Sequence, residues 1–140
     1  MTGLSWPLQQ ALFARLSGDD AVFALCGGRV SDEPLSAPLQ GPAVVIGEES
    51  VSPWDTATDR GAEHVVTVAV LGPVSGFSAL KTLAAAVCDA IEPGFPLEQG
   101  RLVSSRLLKA TARRAADGAR RIDLRFRIVI EDDAQQGDDG

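Results

Sequence analysis

The stretch Arg120-Arg121-Ile122-Asp123-Leu124-Arg125-Phe126-Arg127-Ile128-Val129-Ile130 decides the fold. Ile122, Leu124, Phe126, Ile128 and Ile130 alternate with Arg121, Asp123, Arg125 and Arg127, the period-two pattern of a strand with one buried and one solvated face. The run before it, about Leu102–Arg114, is its hairpin partner, and the turn between them sets the register. A two-residue Asp117-Gly118 loop would place Arg113 and Lys109 opposite Ile122 and Phe126, on the buried face. A three-residue Ala116-Asp117-Gly118 loop gives glycine the left-handed position that such a loop requires. It sets Ala112 against Ile122, Ala110 against Leu124 and Leu108 against Phe126. Register follows the buried face, so the three-residue loop is expected. Lys109, Arg113, Arg121, Arg125 and Arg127 then share the opposite face, with Asp123 as the only acid among them.

Working back from this hairpin, Phe77, Leu80, Ala84, Val87 and Ile91 mark an amphipathic helix of about four turns, stopped by Pro93-Gly94. Ser75 is a candidate cap for it. Glu63–Leu71, rich in valine, reads as a long strand ended by Gly72-Pro73, and Ala43–Glu49 as another. Between them, residues 48–61 are too polar and broken for core and read as a long hairpin excursion. Residues 32–42 hold three prolines and read as a loop. At the start, Leu8, Leu12, Phe13 and Leu16 repeat at helical spacing from about Pro7 to Ser17. Asp19 or Asp20 can then cap a short second helix carrying Val22, Phe23 and Leu25, ended by Gly27-Gly28. A short strand at Arg29–Ser31 is expected after it. The expected fold is therefore α+β: an antiparallel sheet of four to five strands, an N-terminal helical segment and one long helix packed on the sheet. Residues 1–131 form one domain, and 132–140 read as a short acidic, disordered tail.

The net charge of −6 conceals an asymmetry. Residues 1–100 hold 12 acids against Arg15, Arg29, Arg60 and Lys81, a net of −8. Residues 101–130 hold nine bases against Asp117 and Asp123, a net of +7, and the last ten residues add −5. Such blocks bear on what the surface can pair with rather than on fold. No apolar run approaches the roughly 18–20 residues needed to span a bilayer, and the first residues lack the pattern of a signal peptide. Cys26 and Cys88 stand far apart without a CxxC spacing, and two reduced thiols are expected.

Catalytic chemistry finds no constellation. A lone His64 rules out sites that need two histidines. It stands before the valine-rich strand and reads as a surface or partly buried sheet residue. Ser75 is not in G-x-S-x-G spacing, and Gly27-Gly28 lacks a phosphate-loop pattern and reads as a helix stop. The acidic pairs Asp19-Asp20, Glu48-Glu49 and Asp132-Asp133 are adjacent rather than convergent. The reading is non-enzymatic, with no catalytic residues, cofactor or metal. The basic hairpin face is the one positive chemical signal: a solvated sheet, an interface, or a nucleic-acid surface. It lacks the aromatic residues that stack bases.

The order of motifs is familiar. Leu8-Gln9-Gln10-Ala11-Leu12-Phe13-Ala14-Arg15-Leu16 leads to Gly27-Gly28-Arg29-Val30, and a proline-rich link enters Pro42-Ala43-Val44-Val45-Ile46-Gly47. Trp54-Asp55-Thr56-Ala57-Thr58 and Arg60-Gly61-Ala62-Glu63-His64 precede the long strand, and Arg113-Arg114-Ala115-Ala116-Asp117-Gly118 makes the last hairpin. Over about residues 7–130 this resembles the tail terminator and head–tail joining proteins of siphophages and gene transfer agents. The resemblance implies a protein made in the bacterial cytoplasm and built into a virion or phage-like particle, at the head-proximal end of the tail. Six such protomers would form a ring that caps the tail tube and joins it to the head connector. Its partners would be further copies of itself, the major tail tube protein and the head-completion (stopper) protein, with DNA only passing through the channel and no membrane. The alternatives are a head-completion protein or assembly chaperone of the same particle, and a nucleic-acid-binding module.

The residues expected at such interfaces are Trp54, Arg60, Lys109, Arg113, Arg121, Arg125 and Arg127. Trp54, with Pro53 and Arg60, either contacts a neighbouring subunit or the adjoining ring, or folds back on its own sheet. The five hairpin cations meet acids of the next subunit or face the channel, with Arg125 and Arg127 the foremost interface candidates.

Overall fold

A computed structural model of the protein describes residues 5–32, 40–53, 61–73, 77–114 and 118–131. Two helices open the chain, α1 (Ser5–Gly18) and α2 (Asp20–Cys26). Strands β1 (Val30–Ser31), β2 (Ala43–Pro53) and β3 (Gly61–Gly72) follow, then α3 (Ser78–Ile91), β4 (Arg101–Arg114) and β5 (Arg120–Glu131). The strands form one sheet in the order β1-β2-β3-β5-β4. Only β1 runs parallel to its neighbour; the other pairings are antiparallel. This is the α+β architecture that the alternation of Ile122–Ile130 and the helical spacing of Phe77–Ile91 predict.

The helices cover one face of the sheet, and the core lies between them. Leu8, Leu12 and Leu16 of α1 and Leu80, Leu83, Val87 and Ile91 of α3 pack against Val66, Val68, Val70, Ile122, Leu124, Phe126 and Ile128. Each of these side chains is nearly or wholly removed from water, the largest contribution to stability that the chain makes. Asp19 caps α2, its carboxylate accepting from the Val22 amide at 3.0 Å. Gly27 ends the helix in the left-handed conformation, at φ 64°, which a side chain would strain. Arg15 ties α1 to α3 within the helical layer by donating to the Ala90 carbonyl in the last turn of α3 at 2.7 Å, where helix carbonyls lack intrahelical partners.

Ala112 pairs with Ile122 and Ala110 with Leu124, as the three-residue turn requires, and Gly118 is left-handed at φ 89°. Ala116 and Asp117 lie outside the described residues. Beyond Lys109 the register departs from expectation: Leu107, not Leu108, opposes Phe126, because β4 bulges at Leu108 and again at Val103. An unbroken ladder would have set Arg106 against Ile128 on the core face. One extra residue reverses the faces from there on, turning Arg106 outward opposite Arg127 and Leu107 inward. The bulged Val103 and Leu108 are left exposed.

A third bulge corrects the expectation for β2. The ladder does not end at Glu49 but slips between Ile46 and Glu49 and continues to Pro53. The slip brings Glu49 to the helix side of the sheet, opposite Val66. His64 stands within β3, as the expected strand from Glu63 implies, and is fully buried instead of at the surface or partly buried. Phe13 and Phe23, read as members of the apolar helical stripes, point outward and are 40% and 57% exposed. Leu8, Leu12 and Leu16 already fill the α1 stripe, and Phe13 falls off its line. Cys26 is buried, Cys88 half-buried, and both are free thiols. Burial, with Glu92 and Asp89 nearby, pushes the Cys88 thiol up to about 11.

Candidate functional site

The sheet face away from the helices carries the chemistry. Because β4 and β5 pair with odd-numbered residues of β5 outward, cations stand directly opposite cations: Arg106 and Arg127, Lys109 and Arg125, Arg113 and Arg121. Like charges in cross-strand positions destabilise a hairpin. Two acids relieve part of this repulsion. Asp123 is shared, accepting from Arg121 at 2.7 Å and Arg113 at 3.0 Å. Glu63 of β3 accepts from Arg127 at 2.6 Å. At the end of the sheet Arg101 meets Glu131 at 2.8 Å. Among the described residues, Lys109 and Arg125 make no such pair, and both are exposed.

These residues line an open polar trough of about 620 Å³, floored by Val65 and Thr67 of β3 and closed on the β2 side by Glu48 and Ser50. Of the residues singled out in the sequence, Lys109, Arg113, Arg121 and Arg125 come together around it. Arg127 lies on the same face, held by Glu63. Trp54 and Arg60 lie outside the described residues, as does Ser75. Sequence reasoning missed Arg106, because the bulge that turns it outward leaves no mark in the period-two pattern. It also missed Glu63 as an internal counter-ion to Arg127.

A second hollow, about 850 Å³, opens between the α1–α2 junction and the segment after α3. Asp19, Asp20 and Glu98 outnumber Arg15 on its rim, and Phe95 and Leu97 supply apolar wall. Around the helices Trp6, Phe13 and Phe23 are exposed. Large apolar side chains turned to water mark association surfaces when they cluster.

On the helix side, Glu49 links α1 to the sheet. His64 Nδ1 donates to Glu49 Oε2 at 2.7 Å and the Ser5 hydroxyl donates to Oε1 at 2.6 Å. Burial pushes the Glu49 carboxyl upward, but the His64 and Ser5 hydrogen bonds and the His64 charge outweigh it. Its pKa lies below the ordinary 4.5. A depressed carboxylate pKa contributes stability that is present above the unfolded value and lost as pH falls through the folded one. Glu49→Gln is therefore expected to lower stability near neutral pH and to flatten its fall on the acid side of pH 4.5, measured by urea unfolding across that range. An unchanged acid limb would show that the carboxylate contributes nothing.

Among the described residues no group of three His, Cys, Asp or Glu could hold a metal ion, and no helix is long and apolar enough to cross a membrane. What the described surface offers is a cation-lined sheet face at one place and an acid-rimmed hollow at another.

A family model described as tail completion protein gp17 matches residues 10–131. No curated protein sequence matches the chain. Among solved structures, a chain from the virion of a native gene transfer agent (GTA) particle superposes with a TM-score of 0.84 at 37% identity. The match covers 94% of this chain and 99% of that one.

Proposed function

The chain belongs to the tail completion protein gp17 family, and from that premise we propose that it is the tail terminator of a phage-like DNA-delivery particle. Six copies form a ring on the head-proximal end of the tail tube, stop its growth and join it to the head-completion protein of the connector. The observation that carries this reading is the near end-to-end likeness to a chain of a gene transfer agent virion. That likeness supports a structural place in a virion, and the terminator role is the reading of it that the tail completion family favours.

The surface chemistry fits a ring. Closed rings use heterologous contacts, in which two different patches of one protomer meet on neighbours. The cationic trough and the acid-rimmed hollow at the α1–α2 junction have the complementary charge such patches need. Ion pairs there fix register and speed association more than they add affinity. Tight DNA binding has less support, because Asp123 and Glu63 already engage three of the cations.

The test is removal of the gene from a producing cell, followed by electron microscopy of what assembles. Filled heads without tails, and tails of unregulated length, are the expected products. Joined particles with tails of normal length would refute the terminator role. Joined heads with leaking DNA would instead identify a head-completion protein.

A further inference from the structure

Strand β4 changes character along its length. Leu102 and Leu107 pack against the core, but every residue from Leu108 to Arg114 is exposed. Ala110 and Ala112 are among them, although they stand opposite the buried Leu124 and Ile122. The helices that cover those two side chains therefore do not extend over β4 there. Nor does a strand, since β4 ends the sheet with β5 as its one neighbour among the described residues. Edges of this kind invite pairing unless they are blunted. A bulge and Glu92 blunt this one near Leu107, whose amide donates to the Glu92 carboxylate at 3.0 Å. Beyond Leu108 the ladder with β5 is regular, and no such guard stands among the described residues. The result is an arm, small and apolar on one face through Ala110 and Ala112 and basic on the other through Lys109 and Arg113. Arg113 already holds Asp123, which leaves Lys109 and Arg114 without an ion pair among the described residues.

The hollow beside the α1–α2 junction has the complementary character. Ala14, Phe95 and Leu97 line it, and Asp20 and Glu98 stand exposed on its rim. Its occupant is not the arm of the same chain. β4 starts at Arg101, three residues past Glu98, and Arg114 lies about 40 Å further along at the rise of an extended strand. A strand held along β5 over that length cannot fold its far end back. Arm and hollow thus face different neighbours, which lets one contact repeat from copy to copy. We propose that the arm Leu108–Arg114 of one copy seats in the hollow of the next. Leu108, Ala110 and Ala112 meet the apolar wall and leave water, and Lys109 and Arg114 reach the acids of the rim, fixing the orientation. The inference rests on the reading that copies of this chain associate, and narrows that contact to one segment and its seat.

The experiment mixes two substituted proteins, Ala112→Cys on the arm and Ala14→Cys in the hollow, under mild oxidation at high protein concentration. A length tag on one of them makes the mixed product distinct. The unsubstituted chain, with Cys26 buried and Cys88 half-buried, sets the background. A mixed disulfide is expected, and neither protein alone should link above background. Lys109→Glu with Arg114→Glu in the arm protein should cut the mixed product at least about tenfold. Asp20→Lys with Glu98→Lys in the hollow protein should then restore it. Asp19, the cap of α2, is left in place, and unfolding midpoints check that each variant folds. Self-linked product equal to the mixed one would mean that like surfaces meet, and would overturn the proposal. So would no product above background, which would leave the hollow to a different protein, and so would a charge reversal without effect or without rescue. Particle assembly is scored separately. Mixed disulfides from a protein that never enters particles would sink the terminator reading and leave this contact standing.

Discussion

Phe126→Ala lowers the stability of the protomer by about 3–5 kcal/mol, the usual cost of emptying a large aromatic site in a core. Phe126 is wholly buried. It lies at the centre of the sheet, flanked in register by Val66 of β3 and Leu107 of β4. Strands β3 and β4 therefore border the space it would leave on both sides, and a sheet held by ladders on both sides cannot collapse to fill it. Chemical denaturation of the two proteins measures the difference. A loss below about 1 kcal/mol, the range of a tolerated volume-conserving swap, would mean that Phe126 is not the centre of the core.

The second large effect belongs to the outer face. Lys109→Glu combined with Arg125→Glu reverses the charge of two exposed cations that face each other across β4 and β5 and make no ion pair among the described residues. The substitutions spare Asp123 and Glu63, and with them the ion pairs that hold Arg113, Arg121 and Arg127. Arg127 was as strong a candidate as Arg125 on sequence alone. Its 2.6 Å contact with Glu63 makes it a poor site for reversal, since a new acid there would repel its own sheet. The double variant is expected to keep its unfolding midpoint and lose at least about tenfold in joined particles. That is the factor set by about 1.4 kcal/mol when an interfacial attraction turns repulsive. Normal particle yield from a folded double variant would remove these two residues from any interface.

Much of this was legible in the sequence because the last strand is so regular. Ile122, Leu124, Phe126 and Ile128 leave one buried face, and the Gly118 turn leaves one register that keeps Arg113 off it. Those two constraints place the hairpin cations outward without any knowledge of the rest of the chain. The bulges were not legible. At Leu107-Leu108 either leucine can face the core, and the choice falls on Leu107 because the alternative would bury Arg106. Gly47-Glu48 hides a similar slip, and through it the pairing of Glu49 with His64. A histidine ahead of a valine run gives no sign that a carboxylate fifteen residues earlier will meet it. Phe13 and Phe23 show the converse failure, since helical spacing alone cannot tell a core aromatic from one left at the surface.

The most direct measurement is electron cryomicroscopy of an intact particle, at a resolution that traces the five-stranded sheet where the tail meets the head. The account predicts six copies of this fold in one ring between the tail tube and the connector, with the β4–β5 face of each turned toward a neighbouring subunit. A particle whose joint contains some other protein, with this chain elsewhere or absent, would contradict it.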